Sequence, residues 1–208
     1  MPTAREALLE AAHAALAVRP WPVVRMVDVA AAADVSRQTL YNEFGSKDGL
    51  ARALLRHAAD SYLAGVEGAL GSAGATGDRL AATAAWTVRA TRANALVRAL
   101  LTGCWSERLP HPATLGPVRR PASAVPAQRR ADAGAPTPAD LLRQVGDRAV
   151  AALDEGRPPH EREALASTCE LVLRLALSYA LVPPPAGGPE DGVPLVRDVV
   201  ERAAGAAP

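Results

Sequence analysis

Arg37, Gln38, Thr39, Tyr41 and Asn42 form a run of hydrogen-bonding side chains interrupted only by Leu40, and none of them is a carboxylate. An arginine fork suits the O6/N7 edge of guanine, and glutamine and asparagine amides suit the N6/N7 edge of adenine. Threonine and tyrosine hydroxyls suit phosphate oxygens. Lys47 follows shortly after, behind Gly45 and Ser46. A helix start whose free amides sit beside a lysine is a natural clamp for a phosphate. The chemistry these residues could do together is the reading of duplex DNA, with base edges and backbone contacted from one short helix.

Such side chains need a helix held firmly at one end, and residues 27–44 supply it. Val27, Val29, Ala30 and Ala33 give a first short helix a small apolar face that a second helix can cross closely. Asp34 marks the turn, because Asp tolerates unusual backbone angles better than most residues, and Val35 plugs the corner. Ser36 is an N-cap whose hydroxyl can accept from an amide of the next turn, so the second helix starts near Arg37. Leu40 and Phe44, four apart, then face inward and leave the polar side chains outside. Ser46 is expected to cap the helix that begins at Lys47.

The run V-S-R-Q-T-L-Y-N-E-F-G-S-K-D-G-L, residues 35–50, resembles the recognition helix and following linker of TetR-type transcriptional repressors, with D-V-A-A-A-A-D as the preceding helix. The resemblance covers about the first quarter of the chain. It implies an all-α protein: an N-terminal three-helix helix-turn-helix domain, a connecting helix, and a C-terminal helical domain that dimerises and binds a ligand. By matched position Arg37, Gln38 and Thr39 would face bases, while Tyr41, Asn42 and Lys47 would meet the backbone. Relatives usually carry Thr at the start of the second helix and Gly in the turn, where this chain has Arg25 and Asp34. Arg25 could substitute a charged phosphate contact for the lost Thr. The Asp34 carboxylate must point away from phosphates.

Composition permits this plan without arguing for it. At 208 residues the chain can build a sizeable core, and with 49% apolar but only 3% aromatic residues that core is Ala, Leu and Val, which favours helices. A formal charge of +1 gives no global attraction to nucleic acid, and basic and acidic side chains are equal in number over residues 1–60. Cys104 and Cys169 match no metal or redox spacing. No leader pattern and no uncharged run long enough for a bilayer is seen, so a cytoplasmic location is expected.

Along the chain, Thr3 and Glu6 form a capping box for a first helix that carries Leu8, Leu9, Ala12 and Leu16 and stops at Pro20-Trp21-Pro22. Trp21 is expected in the core, and His13 and His57 are expected to be solvated or packed. Residues 1–46 form the DNA-binding domain, 47–70 a connecting helix, and 71–208 the helical effector-binding and dimerisation domain, with the Gly-rich loop at 71–77 as boundary. A helix capped by Asp78 is expected to run to about Gly103. Residues 106–137 are Pro-rich, with Pro110, Pro112, Pro117, Pro121, Pro126 and Pro136, and exclude long regular structure. Arg119, Arg120, Arg129 and Arg130 make this segment locally basic. Thr137, Pro138 and Asp140 start the next helix, and a further one spans about 160–182 before Pro183. A last short helix is expected over 194–204.

The expected function is a ligand-responsive regulator, a repressor that binds a palindromic operator as a dimer and is released by a small apolar or amphipathic effector. Trp86, Leu100, Cys104 and Trp105 are the candidate effector-pocket residues. The apolar stripes of the last two long helices, with Leu142, Val145, Ala149, Leu153, Leu171, Leu175, Ser178 and Tyr179, are the candidate dimer interface. No catalytic constellation, metal site or cofactor motif is present in the sequence, so no enzyme is expected. Alternatives are a thiol-based redox sensor using Cys104 or Cys169, and a helical adaptor whose helix-turn-helix binds protein and not DNA.

Overall fold

The computed structural model describes residues 3–116, 135–154, 156, 158–182, 194 and 196–199. Helices follow in the order α1 (Ala4–Val18), a 3-10 turn (Trp21–Val23), α2 (Met26–Ala32), α3 (Arg37–Phe44), α4 (Lys47–Leu70), α5 (Thr76–Ala93), α6 (Ala95–Thr102), a second 3-10 turn (Pro112–Thr114), α7 (Pro138–Leu153) and α8 (Pro159–Leu181). Among the described residues there is no strand, and the fold is all-α. Two compact units result: Met1–Ala59 with Cys104–Pro136, and Asp60–Gly103 with Thr137–Pro208. The first boundary therefore falls inside α4, not at the Gly-rich loop 71–77.

In the first unit, α1, α2 and α3 pack on one another. The Thr3–Glu6 capping box forms, and Leu8, Leu9, Ala12 and Leu16 make the buried face of α1. Each fully buried leucine contributes about 2 kcal/mol by removal of apolar surface from water. Val29 and Ala30 of α2 are both 1% exposed, so the small residues bring the two helices close.

In the second unit, α5 packs on α8, and α7 lies against α6 and α8. The helix expected to begin at Asp78 and continue to Gly103 is two helices. Ala75 occupies the N-cap position of α5 and Asp78 lies in its first turn. Asn94 then breaks the run: its side chain accepts from the amides of Leu96 and Val97, offering the backbone an alternative to continuing α5. Thr83, Thr87 and Thr91 are buried along α5 and each hydroxyl donates to the carbonyl four residues earlier. The single proton of Thr87 is thereby committed, so the Tyr62 hydroxyl donates to Thr87 Oγ1 at 3.0 Å.

Thr137 and Asp140 complete a second capping box at α7. The Asp140 carboxyl is held below its usual range by the Thr137 hydroxyl and amide and then by Arg143. The α7 stripe is turned inward: Val145, Ala149 and Leu153 are at most 1% exposed. These three expected interface residues are corrected to core residues of their own unit, since an interface between copies would have to unpack them. Leu142, Leu175 and Tyr179 are half-buried, and Leu171 and Ser178 are exposed. By length and composition α8 is apolar enough to cross a membrane, with mean hydropathy 1.4 in its 18-residue window, yet only 28% of that window is buried.

The expectations for Pro117, Arg119, Arg120, Pro121, Pro126, Arg129, Arg130 and Pro183 lie outside the described residues. Pro194 and residues 196–199 are helical, and the rest of the expected last helix lies outside them as well.

Candidate nucleic-acid interface

The turn between α2 and α3 is a Schellman motif. Val35 N–H donates to Ala30 O at 3.0 Å and Asp34 N–H to Ala31 O at 3.2 Å, satisfying carbonyls that α2 leaves open. This closure needs a left-handed residue, and Asp34 takes it at φ 53°, the one positive-φ residue other than glycine among the described residues. Glycine is the usual occupant of this position; Asp is tolerated at a cost.

Ser36 starts α3. Its Oγ accepts from Thr39 N–H at 3.0 Å and lies 2.8 Å from the Thr39 hydroxyl. Leu40 (0% exposed) and Phe44 (7%) fix the inner face of the helix. The Arg5 guanidinium caps the Phe44 ring at 4.7 Å and pairs with Glu43 at 3.3 Å, tying the far end of α3 to α1. The outward side then presents Arg37, Gln38, Tyr41 and Asn42, all exposed, with Thr39 half-buried. Gln38 Nε2 donates to Asn42 Oδ1 at 2.9 Å, which pre-orients two amides one turn apart. Holding these side chains in place lowers the entropy lost on docking.

Two residues expected at phosphates are held by the protein itself. Arg25 precedes α2 and makes a fork to Asp28, at 3.0 Å from Nε and 2.8 Å from Nη2, with Arg19 at 3.5 Å from the same carboxylate. The hydrogen bond to Arg25 holds the Asp28 carboxyl below its usual range and raises the Arg25 guanidinium. Arg25 therefore brings a neutralised pair, not a bare cation, to the start of α2. Lys47 donates to Pro22 O at 2.9 Å and stands 5.3 Å from the Trp21 ring centroid. Burial there lowers the Lys47 ammonium from its ordinary value. Ser46 caps α4 by accepting from Gly49 N–H at 3.1 Å.

The family model described as "Bacterial regulatory proteins, tetR family" matches residues 8–54, from α1 into the first turns of α4. Over those residues the chain is similar to the DNA-binding region of TetR-family regulators. The HTH-type transcriptional regulator AlkX of Mycobacterium tuberculosis is 42% identical over 66 residues, which are 32% of this chain and 31% of that protein. The match thus spans about a third of that curated relative. Over nearly the whole chain the fold is similar to the TetR family repressor AlkX from Dietzia sp. Strain DQ12-45-1b, with TM-score 0.54, 22% identity, and coverage of 97% of this chain and 98% of that one. A tetR-family transcriptional regulator from Streptomyces coelicolor gives TM-score 0.55 at 19% identity, over 99% of this chain and 81% of the other. The helix-turn-helix of this chain keeps the two departures read in the sequence, Arg25 and Asp34.

The candidate pocket residues divide between the units. Trp86 and Leu100 belong to the second. Trp86 Nε1 donates to Tyr62 O at 3.0 Å, and its ring fills a notch at Gly65, where a Cβ would lie 2.1 Å from the indole. Leu100 is 1% exposed. Cys104 and Trp105 belong to the first unit, Cys104 exposed and Trp105 stacked obliquely on His111 with centroids 5.4 Å apart. Sequence reasoning missed Asp48 and Arg52, whose partner in the chain lies 64 or more residues away and leaves no local signal.

Proposed function

We propose that the chain is a transcriptional regulator that binds a palindromic DNA operator as a homodimer and is released by a small apolar or amphipathic effector. The observation that carries the reading is α3 itself: a capped, inwardly anchored helix with Arg37, Gln38, Tyr41 and Asn42 exposed side by side and no carboxylate among them. Arg37, Gln38 and Thr39 face bases; Tyr41, Asn42 and Ser36 face the backbone. Lys47 and Arg25 help to shape the contact surface through Trp21, Pro22 and Asp28 more than as free cations. Repression follows from occupying the operator, and the protein needs no cofactor and no catalytic activity for it.

Dimerisation is supported by α8, which leaves Leu171 46% exposed and Leu181 49% exposed on a long apolar helix. A lipid partner would have to accept the Glu170–Arg174 pair midway along it, whereas a second copy in water would not. Leu171→Glu is expected to give a monomer by light scattering; an intact dimer would move the interface elsewhere. An aliphatic second unit with a few buried hydroxyls favours an apolar effector, with Trp86 and Leu100 as its candidate contacts. A location in the cytoplasm is part of the same proposal.

Selection from random duplex DNA tests the reading. Enrichment of a two-fold symmetric site with half-sites about 34 Å apart is expected. Enrichment of no sequence would favour the adaptor reading.

A further inference from the structure

Gln38 and Asn42 each stand two residues from the buried Leu40, which is about 200° around the helix at the α-helical repeat. They therefore form the outermost line of α3, opposite its anchored face, and both are exposed. A helix that enters a major groove on this side brings these two amides to the base edges first. Gln38 does not arrive there as a free rotor, because its Nε2 donates to Asn42 Oδ1 at 2.9 Å.

That bond decides what the Gln38 amide presents. A glutamine amide has two N–H donors and one acceptor oxygen. With Nε2 turned to Asn42, one donor is used, a second remains, and Oε1 accepts no hydrogen bond among the described residues. Adenine matches this pattern, since its N6 amino group donates to Oε1 and its N7 accepts from the remaining N–H. Cytosine offers an amino donor but no acceptor beside it. Guanine presents O6 and N7 and thymine presents O4, all acceptors, which would meet Oε1 lone pair against lone pair. The reversed amide, with Oε1 on Asn42 and both N–H groups outward, would suit guanine instead. The tether thus selects between two bases that an untethered glutamine could read equally. It also gives neighbouring Arg37, a donor-only side chain suited to guanine, and Gln38 different bases to read.

We propose, resting on the DNA-binding reading of α3, that Gln38 reads adenine in each half-site and that Asn42 is the positioning residue that fixes the direction of its amide. Asn42 acts through Gln38, so its removal changes which base is preferred and not only how tightly DNA is held. A net neutral hydrogen bond shifts such an orientation equilibrium by about two- to ten-fold. That is comparable with the discrimination of about ten-fold or more that one bidentate base contact supplies.

The test uses the full-length chain on the operator selected from random duplex DNA. Gln38→Ala locates the position, as the one base pair per half-site at which that variant loses its preference. Competition binding is then measured with each of the four bases at that position. In the natural chain adenine is expected about ten-fold ahead of guanine. Asn42→Ala is expected to cut this ratio to about three-fold, at that position alone. Asn42→Asp keeps an oxygen acceptor for Gln38 Nε2, so it should keep the full ratio while binding every duplex more weakly through its added charge. Both side chains are exposed, so the variants should melt as the natural chain does. Equal losses for all four bases in both Asn42 variants would make Asn42 a phosphate contact only and overturn the proposal. A base other than adenine preferred by the natural chain, or a Gln38→Ala protein with unchanged preferences everywhere, also overturns it. Selection that enriches no sequence defeats the regulator reading and this proposal together, whereas a symmetric site with guanine at the Gln38 position defeats this proposal alone.

Discussion

Replacing Asp34 separates two effects that one residue brings to the interface. At φ 53° its backbone sits where an L-residue with a Cβ loses about 1–2 kcal/mol, with Asp near the lower end because its short polar side chain tolerates the region. Glycine removes that cost but gains about 0.4–1 kcal/mol of unfolded-chain entropy, so Asp34→Gly should stabilise by about 0.5 kcal/mol. Asn also tolerates the conformation and should be neutral, while Asp34→Ala should destabilise by about 1 kcal/mol. For a chain of 208 residues this is a spread of about 3–6 °C in Tm between the Gly and Ala variants.

The second effect is charge. A carboxylate about 10 Å from a phosphate in water is repelled by about 0.4 kcal/mol before screening, which is about two-fold in affinity for each half-site. Gly and Asn variants should therefore bind operator equally, slightly more tightly than the natural chain at low salt and no better at high salt. The assays are thermal melts and anisotropy titrations at two ionic strengths. An Ala variant as stable as the Gly variant would refute the left-handed turn. Different DNA affinities for Gly and Asn would refute the assignment to charge.

Further expectations follow from single contacts. A Cβ at Gly49 would lie 1.8 Å from Phe44 O, so Gly49→Ala should lower stability by about 2 kcal/mol or more and lower Tm accordingly; an unchanged melt would contradict the tight α3–α4 corner. Burial raises the Cys169 thiol to about 11, whereas Cys104 is exposed, so a disulfide-exchange reagent should label one thiol in the native protein and none quickly in Cys104→Ser. Labelling of both at similar rates would revive the thiol-sensor alternative. Burial also raises the Tyr62 phenol from 10.0 to about 12. A raised pKa favours the neutral form in the folded state, so its stabilisation is complete below pH 10 and is lost as pH rises from about 10 through about 12. Tyr62→Phe should lack this alkaline loss and cost about 1 kcal/mol at neutral pH for the missing hydrogen bond; an unchanged alkaline profile in stability melts would contradict it.

The helix-turn-helix was legible because its determinants are local. Ser36, Thr3 and Thr137 each announce a helix start within four residues, and Leu40 and Phe44 fix the inner face by spacing alone. Asp34 could be placed at the turn from its side-chain chemistry before its backbone angle was known. The second unit was harder for reasons of the same kind. Periodicity shows that α7 has an apolar face without saying what covers it, so Val145, Ala149 and Leu153 read equally well as interface or as core. A single Asn94 side chain was enough to divide a helix whose apolar pattern runs on without a break. The Trp21–Arg108 and Arg52–Gly116 bonds join segments far apart in sequence, and neither arginine carries any local mark of its role.

A single titration decides whether α3 reads DNA from a dimer. A labelled duplex carrying the selected operator, and a scrambled duplex of equal length, are titrated with the natural chain and with Arg37→Ala across a range of salt. Two chains per operator, an operator affinity about 10³-fold or more above the scrambled duplex, and a steep loss of binding with salt are expected. Arg37→Ala should lose about 1–3 kcal/mol on the operator and much less on the scrambled duplex. Equal affinity for the two duplexes, or an Arg37→Ala protein that discriminates them as well as the natural chain, would contradict it.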